Sequence, residues 1–97
     1  MSILNFNWDQ NKAKSNIAKH KVSFKEASTV FDDIDARLIN DPDHSEDEER
    51  LILIGMSDKS RVLTIVHCVL ESEDNIRIIS ARKSTKKETT QYKEYLL

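Results

Sequence analysis

The chain has 97 residues, of which 38% are hydrophobic and 33% charged, and its formal net charge is −2. That length supports one modest core and a single domain over residues 1–97, the lone Cys68 excludes an internal disulfide, and no apolar run approaches the ~20 residues of a bilayer-spanning helix. The eight residues from Met1 to Trp8 hold no Lys or Arg, which argues against a signal peptide, so the expectation is a cytoplasmic protein without a membrane partner.

Charge is unevenly spread. Residues 1–30 carry a net +3, residues 31–58 a net −8 and residues 59–97 a net +3. Two basic ends that meet in space would form one positive face on an acidic protein; the plain alternative is ordinary solvated charge.

In chain order, Phe6-Asn7-Trp8-Asp9 alternates as a short strand does, and Asp9 suits the N-cap of a helix. Ala13 and Ile17 recur at helical spacing over Gln10 to His20, with Lys12, Lys14 and Lys19 on the outer surface. Ser23-Phe24-Lys25-Glu26 is a capping box, and Val22 can staple onto Ala27, so a second short helix runs from Phe24 to about Phe31. Ala36–Asn40 reads as a short strand, and Asp41-Pro42-Asp43-His44-Ser45 as turn chemistry. Three stronger strands follow at Arg50–Met56, Arg61–Leu70 and Ile76–Arg82, separated by short polar turns that make them antiparallel neighbours. Gly55 within a strand signals a bulge or a close approach. Thr85 and Glu88 form a second capping box, which predicts a last helix from Lys86 to Leu97 with Tyr92, Tyr95 and Leu96 on its apolar side. The order is β-α-α-β-β-β-β-α. It predicts an α+β fold, with two N-terminal helices and one C-terminal helix packed on an antiparallel meander.

Few residues offer chemistry. No Gly-rich phosphate loop, nucleophile elbow or Cys pair is present. His44 sits among acids but has no second His at ligand spacing, so a solvated turn is expected there and no metal or cofactor. His67 lies within an apolar strand, on the face of Leu63, Ile65 and Val69. It is either a core histidine or a proton-transfer group, since imidazole titrates near neutrality. Arg77 and Arg82 are separated by five positions, which regular alternation sends to opposite faces. Each is either a surface ion-pair partner or a bidentate phosphate contact that stabilises a charged transition state. Lys83, Lys86 and Lys87 extend Arg82 into the densest basic patch of the chain, and Lys19-His20-Lys21 is a smaller one. An aromatic content of 6% is too low for an extended base-stacking platform.

These elements, in this order, resemble the BrnT family of type II toxins. The resemblance is carried by Phe6-Asn7-Trp8-Asp9 with Lys12 and Asn16, by Lys19-His20-Lys21-Val22-Ser23-Phe24-Lys25-Glu26-Ala27, and by Val30-Phe31-Asp32-Asp33. It continues through Asp43-His44-Ser45 with Glu49-Arg50, Gly55-Met56-Ser57, Arg61 and Val66-His67. It ends on Ile76-Arg77-Ile78-Ile79-Ser80-Ala81-Arg82-Lys83 with Glu88 and Tyr92. The resemblance implies a RelE-like ribonuclease fold and metal-independent RNA cleavage that inhibits translation. It also implies a BrnA-like antitoxin, through which alone the pair would touch operator DNA. For attack of a ribose 2′-hydroxyl on the adjacent phosphate, Arg77 or Arg82 is expected to stabilise charge and His67 to transfer or orient a proton; Lys19, His20, Lys83, Lys86 and Lys87 are the expected RNA contacts. One departure is that Cys68-Val69-Leu70 stands where similar sequences carry polar or basic residues. If that stretch lines the RNA site, it points to altered activity, and the alternative function is a non-catalytic co-repressor module.

Overall fold

The computed structural model describes residues 4–41, 50–70 and 74–94. The elements are β1 (Asn5–Asn7), α1 (Gln10–His20), α2 (Phe24–Thr29), a 3-10 turn at Val30–Asp32, β2 (Arg37–Asn40), β3 (Arg50–Met56), β4 (Val62–Val69), β5 (Asn75–Lys83) and α3 (Lys86–Glu94). The five strands form one sheet in the order β1-β5-β4-β3-β2. Strands β2 to β5 are the expected antiparallel meander. The purely antiparallel expectation is corrected at the other edge, where β1 pairs parallel with β5, Phe6 opposite Ile76. Turn lengths dictate the direction of sequential neighbours, but β1 joins its partner across most of the chain, and no turn records that.

Local chemistry places the helices where the sequence puts them. Asp9 caps α1, its carboxylate accepting from the amides of Asn11 at 2.8 Å and Lys12 at 3.1 Å. Ser23 caps α2 by accepting from the Glu26 amide at 3.0 Å. Flanking Val22 and Ala27 are both fully buried, as a hydrophobic staple requires. The expected last turn of α2 tightens into the 3-10 segment. Ile17, expected on the apolar side of α1, is 47% exposed, and the buried residue of that helix is Asn16.

One face of the sheet holds the core. Val22, Phe24, Ala27 and Val30 pack onto Leu53, Leu63, Ile65, Ile76, Ile78 and Ala81. The edge-on ring pairs Phe6–Phe31 at 5.1 Å and Trp8–Phe24 at 5.9 Å extend it. Gly55 is the close approach: a Cβ there would lie 2.9 Å from both the Ala36 Cβ and the Val30 Cγ1. The irregularity of the sheet falls instead in β5, where Val66 is opposite Ser80 but His67 is opposite Ile78, leaving Ile79 as an extra residue.

Helix α3 packs against β3. Its buried Tyr92 donates through its hydroxyl to Asp33 at 2.6 Å, and burial together with that carboxylate pushes the phenol up to about 12. Tyr95 and Leu96, expected on the same helix, lie outside the described residues. Among the described residues no helix is long and apolar enough to cross a membrane.

Candidate functional site

The extra residue in β5 decides where its arginines point. Ile76 and Ile78 face the core before it, and Ala81 faces the core after it, so the parity of the strand reverses. Arg77, opposite Cys68, and Arg82, opposite Thr64, therefore share the face away from the α1–α2 core. This corrects the expectation of opposite faces, which regular alternation required. Their partners lie four residues apart along β4, which separates the two arginines by about 13 Å.

Arg77 is exposed and donates to the Asn7 side chain at 3.3 Å. The Arg82 side chain is 40% exposed and forks onto Glu88, with Nη1 to Oε1 at 2.7 Å and Nη2 to Oε2 at 3.0 Å. Glu88 also accepts from the Thr85 amide at 2.8 Å and the Thr64 hydroxyl at 3.1 Å, while Thr64 and Ser84 share a bond of 2.8 Å. The Arg82 guanidinium, more than any other neighbour, holds the Glu88 carboxyl down at about 2. Glu88 is thus ionised throughout the neutral range. It keeps a planar guanidinium in one orientation at the start of α3, a geometry suited to a phosphate oxygen.

Basic residues gather at this end of the sheet. Lys83 closes β5, and Lys86 and Lys87 open α3; all three are exposed. The last turn of α1, with exposed Lys19 and half-buried His20, is tied to the same end of β5 by Asn16. The Asn16 amide donates to the Ala81 carbonyl at 2.7 Å and the Val22 carbonyl at 2.9 Å, and its oxygen accepts from the Ala81 amide at 3.2 Å. Strand β1 pairs only as far as Arg77, so Asn16 satisfies backbone groups of β5 that have no strand beside them. Arg61 donates to the Lys21 carbonyl at 3.2 Å, adding a second tie.

His67 lies on the other face. It is 2% exposed, with its ring edge-on to Phe31 at a centroid distance of 4.9 Å. Its Nδ1 has no hydrogen-bond partner among the described residues. Burial pushes its titration down to about 4, so it is neutral at physiological pH. The structure therefore brings Arg77 and Arg82 to one face and puts His67 beneath the helices. Of the divergent stretch, buried Cys68 stands opposite Arg77, Val69 packs toward the core and Leu70 is 38% exposed. His44 lies outside the described residues, and among those described no three His, Cys, Asp or Glu side chains converge as metal ligands would.

Sequence reasoning missed Asn16 as a tie and Glu88 as the partner of Arg82. The capping box marked Glu88 as a helix starter, but nothing local told that its carboxylate also reaches β4 and β5.

Comparison with known proteins supplies the family. Residues 8–88 match the family model described as the ribonuclease toxin, BrnT, of type II toxin–antitoxin systems. No curated protein matches the chain. The 1.1 Å crystal structure of the Brucella abortus ribonuclease toxin BrnT shares the fold, with a TM-score of 0.65 at 20% identity, covering 86% of this chain and 99% of that one. With a match over most of its length and the fold to go with it, this chain belongs to the BrnT family of type II toxin–antitoxin ribonuclease toxins.

Proposed function

We propose that the chain is an endoribonuclease that cuts RNA and so inhibits translation, that it works in the cytoplasm as a single RelE-like domain, and that a DNA-binding, BrnA-like antitoxin neutralises it. The observation that carries the reading is the β5 irregularity, which sets Arg77 and Arg82 on one face with Arg82 pre-oriented by Glu88.

The reaction in this reading is transesterification. The ribose 2′-oxygen, losing its proton, bonds to the adjacent phosphorus; the bond to the 5′-oxygen breaks, and that oxygen takes up a proton. The products are a 2′,3′-cyclic phosphate and a 5′-hydroxyl end, with no net oxidation and no metal in the scheme. Charge accumulates on the non-bridging phosphate oxygens, where a held guanidinium is worth most. Arg82 takes that role, Arg77 steadies the strand farther along the face, and Lys19, His20, Lys83, Lys86 and Lys87 hold the RNA backbone. His67, enclosed on the opposite face, contributes orientation of the sheet rather than proton transfer. Operator DNA is reached only through the antitoxin.

The test is induced expression of the chain alone, reading growth and total-RNA integrity. Arrest with fragmented RNA is expected, relieved by Arg82→Ala and Arg77→Ala in folded protein, and purified protein should cut RNA equally well in EDTA. Normal growth and intact RNA from a folded wild type would overturn the enzyme and leave the co-repressor module as the function.

A further inference from the structure

We propose that the open edge of β2 is the docking line for a basic, extended segment of the antitoxin, which joins the sheet as an added strand. This rests on the toxin–antitoxin reading above and names where the partner sits.

Among the described residues, strand β2 ends the sheet. The Asp41 amide donates to the Arg50 carbonyl at 3.1 Å. In an antiparallel ladder the positions bonded to the neighbour alternate, so Arg37, Ile39 and Asp41 bond toward β3, and the backbone N–H and C=O of Leu38 and Asn40 point outward. Such a row is a template for another strand; the strand is only four residues long and carries Arg37, so it offers a short docking line rather than a long ladder. The side chains beside the edge are apolar and exposed: Ile34 at 96%, Leu38 at 56% and Ile39 at 38%. Leu38 is aligned with Leu53 on the core side of the sheet and Ile39 with Ile52 on the other. An added strand with apolar residues at two adjacent positions, one for each face, would therefore cover both.

Charge selects the occupant. Among the described residues, Asp32, Asp33 and Asp35 precede the strand and Asp41 follows it, against Arg37 within it and Arg50 opposite Asp41. A second copy of the chain would bring like charges together along the seam, whereas a segment carrying Lys or Arg meets opposite charge. Toward the β3–β4 turn, Asp32 and Asp58 line an open cleft with Thr29 and Met56, which adds to the acidic character upstream of β2. The occupant that fits is an extended peptide with adjacent apolar residues flanked by Lys or Arg, held by main-chain bonds and oriented by charge.

The experiment measures binding of the full-length chain to its co-expressed antitoxin, with amide exchange of the complex. The Leu38 and Asn40 amides should exchange at least tenfold more slowly in the complex. Leu38→Pro removes an outward-pointing donor without taking a bond from the β3 ladder; the Asp32→Lys, Asp35→Lys pair reverses the charge. Each should weaken antitoxin binding at least tenfold, with melting temperature and RNA cutting of the free chain kept; if the proline variant does not fold, the charge variant decides. A complex that leaves those two amides unprotected, or undiminished affinity in a folded charge variant, overturns the docking line. So does a free-chain dimer that Leu38→Pro dissolves, since the edge would then pair with itself. A wild-type chain that does not bind the antitoxin overturns the toxin–antitoxin reading itself, which is a separate failure.

Discussion

The two capping boxes begin from the same sequence pattern and end in different work. At the start of α3 the box is reciprocal: the Glu88 amide donates to the Thr85 hydroxyl at 3.1 Å and the Thr85 amide donates back to the Glu88 carboxylate. At the start of α2 only half of it forms. Ser23 accepts from the Glu26 amide, but the Glu26 carboxylate turns inward, to the Ser57 hydroxyl at 2.7 Å and to the Arg61 guanidinium, including a contact from Nε at 3.0 Å. Glu26 is 3% exposed, whereas the Glu88 side chain keeps 21% exposure and its arginine 40%. Both carboxyls are held low chiefly by their arginines. The lesson is that a glutamate three residues into a helix has spare acceptor capacity, and burial decides its use. The pair with the buried carboxylate locks α2 to the β3–β4 turn, its arginine 28% exposed, while the half-exposed pair leaves a guanidinium at the surface for a ligand.

That contrast can be broken from its buried side with the largest effect. Glu26→Ala takes the acceptor from the Ser57 hydroxyl and from the Arg61 guanidinium, which at 28% exposure regains part of its hydration, and should destabilise the chain by about 3 kcal/mol. Urea unfolding followed by circular dichroism measures it, and protein that remains folded should still cut RNA.

Next comes acid stability. His67 titrates at about 4 in the folded chain against an ordinary 6.5. Between those values the unfolded chain binds the extra proton, so stability is fully present above pH 6.5 and falls as the pH drops toward 4, by about 3 kcal/mol. Glu88, held at about 2 against an ordinary 4.5, adds a loss confined to the window below pH 4.5. His67→Leu should flatten the loss between pH 6.5 and 4.5 and leave the lower window in place. A curve unchanged by His67→Leu would show that the imidazole is not enclosed in solution.

On the half-exposed side, Arg82→Ala should reduce RNA cleavage about 100-fold, or about 2.7 kcal/mol of transition-state stabilisation, with a melting temperature near that of the wild type. Arg61→Ala should do the reverse, losing stability while folded protein keeps its activity. Equal loss of activity in both variants would collapse the distinction between the two pairs. The smallest effect sharpens it: Ser23→Ala and Thr85→Ala should each cost about 1 kcal/mol, the ordinary worth of a cap, because the hydroxyl does the same thing in both boxes and only the carboxylate differs.

Much of the architecture was legible in residue order. Asp9, Ser23 and Thr85 started their helices as short polar caps do, and the Val-, Ile- and Leu-rich runs became β3, β4 and β5 within one residue of their expected ends. These features depend on neighbours a few positions apart, which is the range over which caps, turns and periodicity act. The basic character of the Arg82–Lys87 stretch was equally plain. Three things were decided only by tertiary structure. The parallel pairing of β1 with β5 joins residues some seventy positions apart in the chain, as Asn5 with Asn75. The extra residue at Ile79 exists only relative to β4, yet it puts Arg77 and Arg82 on one face. His67, legible either as core or as chemistry, was assigned its surroundings by Phe31 from a distant turn. Local sequence sets which elements form; register and burial depend on the partner that each strand meets, and so does the chemistry left at the surface.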